Sequence, residues 1–157
     1  MDKLQLNAQN NCLGAALTHI YRLSRKICDP SGFMDARTVS DVFCLLGKEF
    51  NTRIIVSSKM PLLTRLTISS FSWIRGYKVA FYEEERRPFG MLVLLRAKDV
   101  YDVDSSEYHW IYVNIDNEIT VFDDLAELYG LKPRKNGKKL LDLIINTKST
   151  IVGLNLL

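Results

Sequence analysis

Cys12 stands where a helix is expected to begin. Asn10 or Asn11 can cap it, because an asparagine side chain accepts a hydrogen bond from an orphan amide. Leu13, Leu17, Ile20, Leu23 and Ile27 then recur at helical spacing. A thiol at a helix start meets free amides and the positive end of the macrodipole. Both favour the thiolate, which is the nucleophilic form, so a lowered thiol pKa is expected. Gly14, Ala15 and Ala16 are small enough to let other backbone approach that helix end. The plainer reading of Cys12 is a small apolar core residue. Cys28, in a turn after the helix, and Cys44, between Phe43 and Leu45, read as structural.

A thiol nucleophile needs a base, and the chain has two histidines, His19 and His109. His19 follows Cys12 on the same helix, roughly 10 Å away along the axis at about 1.5 Å per residue. That is out of hydrogen-bond reach, so His19 is expected to pack. His109 opens an expected strand, whose His109, Ile111 and Val113 share one face. On the next strand Ile119, Val121 and Asp123 share one face. Pairing Val113 with Ile119 and Ile111 with Val121 sets Asp123 opposite His109, with Cβ atoms about 4.5–5.5 Å apart. A carboxylate there can fix the imidazole tautomer. The loop would be Ile115-Asp116-Asn117, with Asn117 left-handed. A shift by one residue brings Asp124 to His109 but mixes Thr120 with Val113. Asp123 is therefore the expected acid and Asp124 the alternative.

The elements around these residues read as follows. A second helix is expected over Asp35–Phe50, capped by Asp35, and a strand over Arg53–Val56. Pro61–Ile74 is ambiguous, since its leucines suit a helix and its Ser/Thr content does not. Strands are expected at Tyr77–Tyr82, Gly90–Leu95, His109–Asn114, Ile119–Asp123 and Ile151–Leu156. Short helices are expected at Leu125–Leu128 and Leu140–Ile145, around a basic loop over Leu131–Lys139. Helices first and a mostly antiparallel sheet after them make an α+β pattern.

The chain has 157 residues, with 47% hydrophobic and 25% charged, enough for one domain with its own core. No apolar stretch approaches the roughly 18 residues of a membrane helix. The polar start, MDKLQLNAQNN, lacks the apolar core of a secretion signal, so a cytoplasmic location with reduced thiols is expected. There is no CxxC and no ligand spacing for zinc, and no GxxxxGK[ST], GxGxxG or GxSxG. No metal and no cofactor is expected. The net charge of +3 is too small to argue for nucleic acid.

With that constellation in view, the chain resembles the papain-like cysteine peptidase superfamily over most of its first 126 residues. QNNCLGAAL at Gln9–Leu17 and VSDVFCLLGKEFNTRIIV at Val39–Val56 resemble ovarian-tumour-type deubiquitinases. DPSGFMDARTV at Asp29–Val39 and YHWIYV at Tyr108–Val113 are similar to Josephin-type deubiquitinases. GMLVLL followed by HWIYVNIDNEITVFDD is similar to bacteriocin-processing peptidases. The resemblance implies a papain-like fold of N-terminal helices packed on the sheet. It implies Cys12 as nucleophile, His109 as general base and Asp123 as orienting acid. It also implies an oxyanion donor before the cysteine, for which Gln5, Asn7 and Gln9 are candidates. Residues 1–157 are expected as one domain, with 1–126 as core and 127–157 as an extension of unknown role.

The expected function is a cysteine peptidase or isopeptidase, deubiquitinase-like, working through a thioester on a protein or peptide substrate, ubiquitin-like ones among them. A viral or effector protein acting in a host cytosol fits the size. Two alternatives keep the same fold: a glutamine deamidase with the same triad, and a binding module without catalysis. Lys132, Arg134, Lys135, Lys138 and Lys139, near Tyr129, would be the phosphate contacts of a nucleic-acid binder. A solvated basic loop is the commoner use of such a run, so nucleic acid is not the expected partner.

Overall fold

The computed structural model describes residues 12–24, 32–47, 49–115, 118–147 and 149–156. Helix α1 (Cys12–Ser24) buries Leu13, Leu17 and Ile20 of the apolar series that marks it in the sequence, while Leu23 is exposed and Ile27 lies outside the described residues. Beside it runs a 3-10 turn, Phe33–Asp35. A Cβ built on Gly14 would sit 2.7 Å from the Phe33 carbonyl oxygen. Only glycine allows that turn to lie so close to the start of α1.

Helix α2 (Val39–Leu46) is shorter than the expected Asp35–Phe50, and Thr38, not Asp35, caps it. The Thr38 hydroxyl accepts the Asp41 amide, and the Asp41 carboxylate accepts the amides of Thr38 at 2.9 Å and Arg37 at 2.7 Å. Such a reciprocal box satisfies orphan donors that Asp35 would leave open. Those bonds hold the Asp41 carboxyl below its usual range. At the other end the chain turns at Gly47, and Phe50 already belongs to strand β1 (Phe50–Val56).

The ambiguous segment is helix α3 (Leu62–Arg75), which stops at Gly76 with φ 74°. That left-handed cap favours glycine. Next come β2 (Val79–Phe81), β3 (Gly90–Arg96), a one-turn helix α4 (Ala97–Val100), β4 (Tyr108–Asn114), β5 (Thr120–Phe122) and α5 (Asp124–Tyr129). Helix α6 (Gly137–Asn146) begins inside the expected basic loop, and β6 (Thr150–Leu156) follows.

The six strands form one sheet in the order β2-β1-β6-β3-β4-β5. β1 and β2 are parallel, and the other pairs are antiparallel. The molecule is thus α+β with a mostly antiparallel sheet. Residues 127–157, read from the sequence as an extension, supply β6, which is hydrogen-bonded to β1 on one side and β3 on the other. Met91, Leu92, Val93, Ile151, Val152 and Leu154 at this junction are fully buried. The centre of the sheet is therefore not complete without the last residues of the chain.

Candidate active site

Each element of the site follows from local sequence. α1 opens, among the described residues, at Cys12. It packs along β4, whose apolar run Trp110–Val113 is buried. β4 lies beside β3 with Leu95 opposite His109, so the imidazole stands on a strand held along its length. The Cys12 Sγ accepts a hydrogen bond from the backbone amide of Trp110 at 3.3 Å. The thiol is thereby fixed one residue from His109, although 98 positions separate Cys12 and Trp110 in sequence. Trp110, read as packing, is buried as expected, and it is its amide that touches the sulfur.

His109 Nε2 lies 2.8 Å from Asp123 Oδ2. The expected acid is in place, but by a different register. β4 and β5 pair Tyr112 with Phe122, Val113 with Val121 and Asn114 with Thr120, two residues away from the expected Val113–Ile119 pairing. Side chains alternate faces with period 2, so a slip of two keeps His109 and Asp123 on one face where a slip of one would have separated them. β5 ends at Phe122, and Asp123 turns into α5. Its Oδ1 accepts the Ala126 amide at 3.3 Å, so the carboxylate caps that short helix while holding the imidazole. The alternative acid, Asp124, is the first residue of α5. Burial, then the charges of Asp123 and Glu127, push its carboxyl up. The expected loop position Asn117 lies outside the described residues, as do Gln5, Asn7, Gln9, Asn10, Asn11 and Cys28.

No sequence pattern points to Tyr101. Its hydroxyl donates to Asp123 Oδ2 at 2.6 Å. Its ring, 1% exposed, lies 6.4 Å from the His109 ring. Burial, then the adjacent carboxylate, push the phenol far above its ordinary range, so it remains a donor. Tyr101 closes α4, its amide bonded to the Ala97 carbonyl, and it bridges to Pro133. A tyrosine in a polar connection has many uses, and only the long-range fold aims this one at Asp123. Tyr101→Phe removes one hydrogen bond to a charged acceptor. It is expected to lower stability by about 1.5–3 kcal/mol in urea unfolding. A change under about 0.5 kcal/mol, the scale of a surface substitution, would mean the hydroxyl does not support the carboxylate.

The electrostatics correct one expectation. Burial pushes the Cys12 thiol up. The Trp110 amide opposes this, the Asp123 charge adds to it, and the amides of Leu13 and Cys12 oppose it more weakly. Desolvation of a thiolate outweighs the few amides at the helix start. The resting sulfur at neutral pH is therefore a thiol. Cys12 is 5% exposed, and His109 and Asp123 are 2% exposed, so the site is closed in this conformation. Cys44, expected as structural, is exposed on α2.

His19 packs, as expected. Its ring stacks on Phe122 with centroids 4.2 Å apart, and burial holds its imidazole below the ordinary range. Lys132, Arg134, Lys135, Lys138 and Lys139 are exposed. Among the described residues no group of His, Cys, Asp and Glu is arranged to hold a metal, and no helix is long and apolar enough to cross a membrane. No protein-family model, no curated protein and no solved structure matches the chain.

Proposed function

We propose that this chain is a cysteine peptidase or isopeptidase with a papain-like fold, using Cys12, His109 and Asp123. The observation that carries the reading is that the Trp110 amide fixes the Cys12 sulfur one residue along β4 from His109, whose imidazole is held by Asp123. The Trp110 amide holds Cys12 Sγ, Asp123 holds the neighbouring His109, and Tyr101 holds Asp123.

The Asp123 carboxylate accepts from Nε2, so neutral His109 carries its proton there and keeps a lone pair on Nδ1. Nδ1 accepts the Cys12 proton as the sulfur attacks a carbonyl carbon. The Cys12 amide and a side chain from Gln5, Asn7 or Gln9 stabilise the oxyanion. Protonated His109 returns its proton to the leaving amine as the C–N bond breaks. Water, deprotonated by His109, then hydrolyses the Cys12 thioester and frees the thiol. An amide between proteins, including one to a ubiquitin-like modifier, suits this chemistry, and a cytosol would keep the thiol reduced. Glutamine deamidation uses the same steps with ammonia as leaving group.

The test is a screen of peptide, isopeptide and glutamine substrates, with acid quench and peptide mapping. The expected result is an acyl adduct on Cys12 that hydroxylamine removes. Product formation with the adduct on another residue contradicts the reading. A folded protein that hydrolyses none of these amides supports the second reading, a binding module, which the near-complete burial of the Cys12 sulfur favours.

A further inference from the structure

Helix α3 carries its apolar side outward. Toward the core it offers Ile68 and Ser72, whose hydroxyl is bonded to the Ile68 carbonyl. Toward solvent it offers Leu62, Leu63, Leu66, Trp73 and Ile74, exposed by 62%, 76%, 56%, 84% and 73%. At 3.6 residues per turn these five fall within an arc of about 120°. The arc contains no charge. The helix's two charged residues, Arg65 and Arg75, lie on its other side, about 60° and about 100° beyond the two edges of the arc, and Lys78 is exposed just beyond the helix. From residue 50 to residue 82 the chain has no Asp or Glu but five cations, Arg53, Lys59, Arg65, Arg75 and Lys78. Lys59 is paired with Asp142 at 3.5 Å. The Arg65 Nε is buried without a hydrogen-bond partner.

We propose that α3 docks on an anionic lipid bilayer. The apolar arc enters the acyl boundary, and Arg65, Arg75 and Lys78 meet the headgroup charges. A tryptophan-bearing apolar face with its cations on the opposite, polar side is the pattern of an interfacial helix. Its 14 residues span only about 21 Å, so the helix lies in the surface rather than crossing it. The absence of carboxylates along the segment selects an anionic surface over a neutral one.

The full chain can be tested with vesicles of phosphatidylcholine, alone and mixed with phosphatidylserine. The chain has two tryptophans. Trp110 is 4% exposed, so a blue shift on binding reports Trp73. The expected result is cosedimentation and a blue shift with the mixed vesicles, falling with salt. Leu63→Glu with Ile74→Glu is expected to weaken binding at least about tenfold. Arg75→Glu and Lys78→Glu are each expected to weaken it about fivefold or more. These positions are exposed, and unchanged circular dichroism and urea unfolding confirm the fold. No sedimentation with either vesicle overturns the proposal, as does binding that Leu63→Glu with Ile74→Glu leaves intact. A concentration-dependent dimer that the same double variant abolishes would also overturn it and give the face to a second copy.

Discussion

Cys12→Ala is expected to abolish amide hydrolysis, by at least about 10⁴-fold, while the fold survives. Removing the nucleophile of a triad removes the covalent route entirely, and such losses reach about 10⁶-fold. What remains is binding and oxyanion stabilisation without an attacking group. The structural cost is small by comparison. The sulfur's one cross-chain hydrogen bond is from the Trp110 amide. An alanine leaves that donor without its sulfur and a small void, together about 1–3 kcal/mol. Urea unfolding and near-native circular dichroism check the fold, and a turnover assay on the substrate that acylates wild type checks the chemistry. Hydrolysis within tenfold of wild type would place the reaction elsewhere.

Asp123→Ala is expected to damage both activity and stability, and Asp123→Asn is expected to restore much of each. The carboxylate accepts from the Tyr101 hydroxyl, His109 Nε2 and the Ala126 amide. Alanine leaves the first two buried and unpaired, at about 1–3 kcal/mol each, and removes a cap worth about 1 kcal/mol. The sum, about 3–7 kcal/mol, is a large part of the stability of a domain this size. Loss of the acid also frees the imidazole to take the other tautomer, and activity is expected to fall about 10³–10⁴-fold. Asparagine has one oxygen. Placed at Oδ2 it keeps Tyr101 and His109 and turns its NH₂ toward the Ala126 amide. Two buried hydrogen bonds outweigh one cap, so this orientation wins. Asp123→Asn should therefore lose about 1–2 kcal/mol and retain the working tautomer. If asparagine is as damaging as alanine, the carboxylate's charge, not its hydrogen bonding, is what His109 requires. The two variants are compared in one turnover assay and one urea titration.

Local pattern carried most of the site to the right place. Cys12 at a helix start, His109 at a strand start and Asp123 a hairpin later are all local features, and a hairpin brings nearby residues together whatever the rest of the chain does. The register was read two residues out. The apolar face that guided it, Ile111 and Val113 against Ile119 and Val121, is satisfied by either register, because both keep the same faces. Long-range partners were not legible. Tyr101 reaches Asp123 only because α4 and the bridge to Pro133 turn it there. The amide on the Cys12 sulfur comes from Trp110, and no spacing announces such a contact. The thiol's raised pKa was missed for the same reason: the helix start is visible in the sequence, and the burial that outweighs it is not. α3 was ambiguous because its leucines face solvent and its small polar residues face inward, the reverse of the usual helix. β6 was recognised as a strand. Its place between β1 and β3 is a matter of sheet order, which the sequence of one strand does not encode.

The most direct measurement is the rate of Cys12 alkylation by iodoacetamide across pH, with peptide mapping, in wild type and His109→Ala. Cys44 is exposed and serves as the ordinary-thiol control in the same sample. A buried thiol with a raised pKa and no base reacts in proportion to its thiolate, so its rate climbs about tenfold per pH unit beyond the free-cysteine value of about 8.5. A thiol whose proton His109 takes as the sulfur attacks reacts without ionising first, so its rate flattens below that value. The expected result is a plateau for Cys12 in wild type, even if closure of the site keeps the rate low, and an unbroken climb in His109→Ala. The same unbroken climb in both proteins would contradict the pairing of Cys12 with His109 and, with it, the thiol hydrolase.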